Sequence, residues 1–362
     1  MSPVPALRPD LRLGAGYHSP QVPAEVRLNT NESPFAPPDE FVRALADEMT
    51  RVAFHRYPDR GAVELRRGIA ELHGVDPAQV FCANGSNEVL QCLLLAYGGP
   101  GRRSLLFEPT YTLHAHISRL TGTEVVAAPR DEHFAIEPAA ALAVLAATRP
   151  SVTFVCSPNN PTGVAERAEV VAALLGGAPG LVVVDEAYGQ FAQTSALELR
   201  EPGGSPGGTD ARGLVVVRTF SKTWAMASVR LGYAIADPEV VTACEEVVLP
   251  YHLSVPTQVA GVVALRFAAA MASRTGFIAA ERDRLAGALR ALAVDTWPSE
   301  ANFILFRPRD VPAGVVWQRL LDRSVLVRDC STWAGVEGCL RVTVGTPEEN
   351  DRFASALTES LR

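Results

Sequence analysis

The 362-residue sequence has no C-x-x-C pair and no histidine at zinc-site spacing from its six cysteines, Cys82, Cys92, Cys156, Cys244, Cys330 and Cys339. Their scatter excludes a sequence-encoded metal site and leaves reduced, buried thiols as the reading. No uninterrupted apolar stretch approaches the roughly 18–20 residues needed to span a bilayer, so no membrane partner is expected. The opening MSPVPALRPDLRLGAG lacks the apolar core of a signal peptide, and a cytoplasmic protein is the expectation. Positive charge is also short. Against 33 Lys and Arg stand 40 Asp and Glu, a net charge of −7, which argues against a nucleic-acid partner because phosphate-backbone affinity rests on excess cations. A local basic pocket for a small phosphorylated metabolite stays open. Internal repeats and low-complexity tracts are absent.

What is present is the balance of a globular chain, with 48% hydrophobic and 20% charged residues. Residues 1–37 are proline-rich and without periodicity, an arm rather than a core element. Helical spacing begins at PDEFVRALADEMTRV, where Pro38 and Asp39 suit a helix start. Short apolar runs then alternate with helical stretches: VFCAN before GSNEVLQCLLLAY, SLLFE before PTYTLHAHISRL, SVTFVC before SPNNPTG and a helix, then LVVVDEAYGQF and LVVVRTFSK. Val- and Leu-rich runs of four to six residues between helices mark an α/β fold with a mostly parallel sheet buried on both faces. After Pro250 one long helical stretch is expected, and from about residue 270 the chain turns to ANFILFRP, SVLVRDCS, GCLRVTVGT and a closing helix. The division expected is an arm over 1–37 packing with the small domain, a large α/β domain over 38–269 and a smaller α+β domain over 270–362.

Polar residues gather where these strands end. GSNE, PTY, SPNNPTG, DEAY and SK each follow an apolar run. Singly, each reads as a cap or a loop. Five in order at one sheet edge read as a ligand site, because open α/β sheets bind ligands at strand carboxyl ends. The chemistry of the set narrows the ligand. A lysine can condense with an aldehyde, and a buried Asp can hold a pyridine nitrogen protonated. An Asn and a Tyr can bond a phenolate oxygen. A helix start with Ser221 and Arg230 can hold a phosphate monoester, and Tyr111 can stack on a ring. Aldehyde, pyridine, phenolate and phosphate together describe pyridoxal 5′-phosphate.

SPNNPTG, DEAYGQF and FSKTWAMASVRLGY resemble the motifs of fold-type I pyridoxal-phosphate-dependent aminotransferases. LNTNESPF, RYPD, GSNEVL, PTYTLH, YHLSVPTQ and CLRVTVGTPEEN resemble the histidinol-phosphate aminotransferase family in particular, over nearly the whole chain. The resemblance implies the fold-type I α/β architecture and a homodimer with a composite active site. It implies that Lys222 binds the cofactor covalently and shuttles the proton. Asp185 would pair with the pyridine nitrogen, and Asn160 and Tyr188 would contact the ring oxygen. Ser86, Asn87, Ser221 and Arg230 would hold the phosphate, with Tyr111 on the ring face and Tyr57 reaching the cofactor phosphate of the other subunit.

The implied reaction is transamination between L-histidinol phosphate and 2-oxoglutarate in histidine biosynthesis. Arg341 matches the family arginine for an α-carboxylate. A second arginine suits a phosphate, and Arg328 is placed to supply it. Tyr17 and Asn31 would close the pocket. ESPF stands where relatives more often have ENP. Three alternatives stay open: an aromatic amino-acid aminotransferase, a threonine-phosphate decarboxylase, and a pyridoxal-phosphate-binding regulatory module without turnover.

Overall fold

A computed structural model describes residues 22–201 and 210–362. β1 (Val26–Leu28) precedes two helices, α1 (Asp39–Met49) and α2 (Val63–His73). A strand–helix alternation follows: β2 (Val80–Ala83), α3 (Ser86–Tyr97), β3 (Arg103–Glu108), α4 (Leu113–Leu120), β4 (Glu124–Pro129) and α5 (Pro138–Thr148). It continues through β5 (Val152–Cys156), α6 (Ala168–Gly177), β6 (Leu181–Asp185), β7 (Leu214–Thr219), β8 (Gly232–Ile235) and α7 (Pro238–Val247). The rest comprises α8 (Val255–Leu265), α9 (Ala268–Arg290), β9 (Val294–Thr296), β10 (Phe303–Pro308), α10 (Ala313–Asp322), β11 (Val325–Asp329), β12 (Leu340–Thr343) and α11 (Pro347–Ser360).

Seven strands form the large sheet in the order β2-β8-β7-β6-β5-β3-β4. β4, β3, β5, β6 and β7 run parallel, while β8 is antiparallel to both its neighbours, so β2 points the same way as the parallel set. Every residue of β5 and β6 is buried. The reason is the helical cover on both sides: Leu93, Phe154 and Val183 belong to one core, Val155, Leu174 and Val184 to the other. Each such aliphatic side chain contributes roughly 1.5–3 kcal/mol relative to exposure, so a Val run has no solvated alternative. Local chemistry fixes the helix starts. Glu137 and Asp237 accept backbone N–H groups at the heads of α5 and α7, each with proline in the first turn, and Thr346 and Glu349 form a reciprocal capping box on α11.

The second sheet has five strands in the order β1-β11-β12-β10-β9 and its own core of Val26, Leu28, Phe306, Val325 and Phe353. Two features differ from the sequence reading. Residues 26–28 of the arm are a strand, paired in parallel with β11, and Val26 and Leu28 are buried. Three residues are too few to display a period. The long helical stretch after Pro250 is two helices, α8 and α9, meeting at 78°. Among the described residues no single helix is long and apolar enough to cross a membrane.

Candidate active site

The site lies at the carboxyl ends of the large-sheet strands. β2 runs into Gly85, whose φ of 80° a side chain would strain, and α3 begins at Ser86 with no side-chain cap. Its first N–H groups are therefore available to an anion. Arg230 packs against this turn so closely that a Cβ at Gly85 would lie 2.5 Å from its Nη2. Arg230 Nη1 donates to Ser221 Oγ at 3.3 Å and to Ala227 O at 3.1 Å. A Cβ on Gly232 would come within 2.3 Å of Ser86 N, so this close approach of strand to helix start also requires glycine. The result is a cradle of backbone donors, one hydroxyl and one guanidinium.

Asp185 ends β6 and is 1% exposed. Its carboxylate accepts from Ala187 N at 3.1 Å and pairs with His114 Nε2 at 3.0 Å. His114 is fully buried on α4 and stacks on Phe154, with ring centroids 4.8 Å apart and planes 4° from parallel. Tyr111 stands edge-on to His114 and donates to Asn87 Oδ1 at 3.4 Å. On the other side, the Tyr188 hydroxyl accepts from Asn31 Nδ2 at 2.9 Å, and burial pushes its ionisation upward. Asn31 has a φ of 55°, which Asn tolerates, and is tied through Thr343 to β12.

Lys222 is half-buried after β7, and its Nζ donates to the carbonyl of Thr30 at 2.9 Å. Burial, then the Arg341 guanidinium and to a smaller extent Arg230, bring its amine down to about 8, against an opposing pull from Glu32. Arg341 is 5% exposed; its guanidinium donates to Asn160 Oδ1 and to Asn29 O, while its buried Nε finds no partner among the described residues. A buried donor without a partner calls for one, and a ligand group can supply it.

A cavity of about 320 Å³ brings together Asn31, Ser86, Asn87, Tyr111, Asn160, Asp185, Tyr188, Ser221, Lys222, Arg230 and Arg341. Two of the expected site residues lie elsewhere. Tyr57 is 79% exposed and stacks on Tyr251 at 4.6 Å, in a surface concavity with Phe54 and Pro58. Arg328 is buried outside the cavity lining, opposite Arg341 in the β11–β12 register and 5.3 Å from the Trp333 ring. Tyr17 lies outside the described residues. Sequence reasoning missed His114, Thr30 and Glu32. It also passed over one compositional signal: Lys222 is the only lysine in the chain, the rest of its 33 Lys and Arg being arginine.

The fold and this constellation define a transaminase-type site, and the sequence model of the family described as aminotransferase class I and II matches residues 23–357. The chain belongs to that family. It is 46% identical over 358 residues to a histidinol-phosphate aminotransferase of Thermobifida fusca, covering 97% of this chain and 94% of that one. A histidinol-phosphate aminotransferase of Nocardia farcinica is 47% identical, covering 96% and 89%. Among solved structures, histidinol-phosphate aminotransferase from Sinorhizobium meliloti in complex with pyridoxal 5′-phosphate superposes with a TM-score of 0.84 at 24% identity, covering 94% of this chain and 91% of that one. The likeness to that structure concerns the fold.

Proposed function

We propose that the chain is a pyridoxal-phosphate-dependent histidinol-phosphate transaminase, exchanging an amino group between L-histidinol phosphate and 2-oxoglutarate in histidine biosynthesis. The observation that carries this reading is the arrangement around Lys222: a buried carboxylate at Asp185, an anion cradle at Ser86, Ser221 and Arg230, and a second guanidinium at Arg341 with an open Nε. The residues present fit the cofactor. Gly85 and Gly232 leave the cradle clear of Cβ atoms, and Arg230 faces it.

When bound, pyridoxal phosphate supplies an electrophilic aldehyde and a cationic ring that draws electrons from the substrate Cα. The protein supplies the rest. Lys222, its amine lowered from 10.5 to about 8 chiefly by burial, reaches the neutral form more readily than a free lysine and would take the Cα proton and return it one atom away. Asp185 would hold the ring N–H, with His114 fixing that carboxylate. Asn160 and Tyr188 would bond the ring oxygen, Tyr111 would cover the ring face, and Asn87 would support Tyr111 and the phosphate turn. Arg341 would take the α-carboxylate of one substrate and the phosphate of the other, with Arg328, opposite it across β11 and β12, adding its charge for the phosphate, and with Asn31 and Tyr17 closing the pocket.

The second copy enters through Tyr57. Phe54, Tyr57 and Leu249 are 70%, 79% and 76% exposed, an apolar surface that suits a homodimer interface placing Tyr57 at the partner's cofactor phosphate. The domain division into 1–37, 38–269 and 270–362 is part of the same reading, supported by the separate cores of the two sheets. Six free, buried thiols support residence in the reducing cytoplasm. The test is a comparison of amine donors on purified holoenzyme. Histidinol phosphate should give the highest kcat/KM with 2-oxoglutarate; faster turnover of phenylalanine, or release of CO₂ from threonine phosphate, overturns the assignment.

A further inference from the structure

The two amine substrates of such an enzyme share a pocket but not a shape. Each places its amine at Lys222 and its first anionic group at Arg341. The third arm is an imidazole ring in histidinol phosphate and a propionate carboxylate in glutamate. The cavity must therefore contain a wall that meets a ring with N–H groups in one half-reaction and an anion in the other.

That wall is the segment after β1. Asn29, Thr30 and Glu32 line the same cavity as Lys222 and Arg341. Glu32 and Asp185 are the two carboxylates in the lining, and Asp185 is already engaged by His114 and Ala187 N. Glu32 is exposed to solvent at its side chain, and one carboxylate oxygen accepts from Thr30 Oγ1 at 2.9 Å. Its backbone carbonyl is held by Asn302 Nδ2 at 3.5 Å, and the carbonyl of the adjacent Asn31 by the same amide at 3.2 Å. The residue is thus anchored through its backbone within the lining of the cavity. Its charge is felt at the reaction centre, where it opposes the lowering of the Lys222 amine.

Resting on the histidinol-phosphate reading, we infer that Glu32 is a specificity-determining residue that accepts a ring N–H from the imidazole and repels the side-chain carboxylate of the dicarboxylic substrate. A hydrogen bond to a charged acceptor favours the ring in either neutral or protonated form. The like-charge contact keeps glutamate binding loose. One side chain then weights the two half-reactions in opposite directions.

The test measures the two half-reactions separately in holoenzyme of the wild type, Glu32→Gln and Glu32→Asp. Glu32→Gln should raise KM for histidinol phosphate about tenfold and lower KM for 2-oxoglutarate about twofold. Glu32→Asp, which keeps the charge, should lie between wild type and Glu32→Gln on both. A residue that merely anchors the segment would shift both KM values upward. Same-direction shifts, or no shift, overturn the inference. A second measurement needs no variant: 2-amino-3-phenylpropyl phosphate keeps the amine and phosphate but has no ring N–H. The wild type should use it with kcat/KM about tenfold below histidinol phosphate, and equal use overturns the role of Glu32. A wild type inert toward histidinol phosphate sinks the parent reading and this one together, whereas an active wild type without the opposed shifts sinks this one alone.

Discussion

Arg328 and Arg341 stand directly opposite each other across β11 and β12, two guanidinium groups on one face of the small sheet, both less than a tenth exposed. Like charges directly opposite in a sheet repel, and an anionic substrate at Arg341 would relieve that repulsion. On the proposed reading a dianionic phosphate would draw on the field of both groups, a monoanionic carboxylate mainly on that of Arg341. Arg328→Ala should therefore raise KM for histidinol phosphate about thirtyfold and KM for glutamate only a few-fold. Steady-state kinetics on both substrates check the ratio.

Lys222→Ala should abolish multiple turnover while retaining part of the cofactor binding, because the cradle at Ser86, Ser221 and Arg230 remains. Borohydride reduction of wild-type holoenzyme should fix one cofactor per chain, on the peptide that contains Lys222. Peptide mass mapping locates the label.

The cofactor-free enzyme should show the depressed amine directly. Only the neutral amine attacks an electrophile. With the amine at about 8, the labelling rate of Lys222 should climb about tenfold per pH unit below 8 and level off above it, rather than continuing toward 10.5. Mass spectrometry of the labelled peptide separates this site from the chain terminus.

His114→Gln keeps a donor toward Asp185, while His114→Phe removes it. The glutamine variant should retain most of the activity. The phenylalanine variant should lose about tenfold in kcat and bind the cofactor less tightly, since the Asp185 carboxylate would then be held by the Ala187 N–H alone. Cofactor titration by absorbance and turnover assays together read the two effects.

His73, at the end of α2, bonds the Tyr233 hydroxyl at 2.8 Å, and burial, followed by the nearby Arg218, takes it down to about 4. The folded state thus refuses a proton that the unfolded chain accepts near 6.5. Between those values the unfolded state binds more protons, so stability falls as the pH drops from 6.5 toward 4. Denaturant unfolding of His73→Gln across this range should show a weaker pH dependence than the wild type.

The large sheet was legible because β5, β6 and β7 are Val-rich runs with no other stable placement, and because the polar residues following them had to sit at one edge. The break between α8 and α9 was not. No Gly or Pro marks Arg266–Phe267, and the turn is fixed by packing, with Phe267 edge-on to Phe41. Likewise Thr30 acts through a carbonyl oxygen, which every residue has, and its meeting with Lys222 joins positions 192 apart. His114, on an apolar helix face, looked like an ordinary core histidine until the fold brought Asp185 to it. Tyr57 and Arg328 stand apart from the cavity for different reasons, one facing outward and one buried on the strand next to Arg341.

A chain with a single lysine has made its working nucleophile its sole side-chain amine. Acetyl donors, reducing sugars and reactive aldehydes find no sacrificial lysine on the surface, so damage at lysine is damage to the reaction itself. The bound cofactor is then also a shield, because an amine already engaged is closed to those reagents. Loss of enzyme to carbonyl stress should accordingly track how much of the population has shed its vitamin, rather than how many solvent-facing groups are modified.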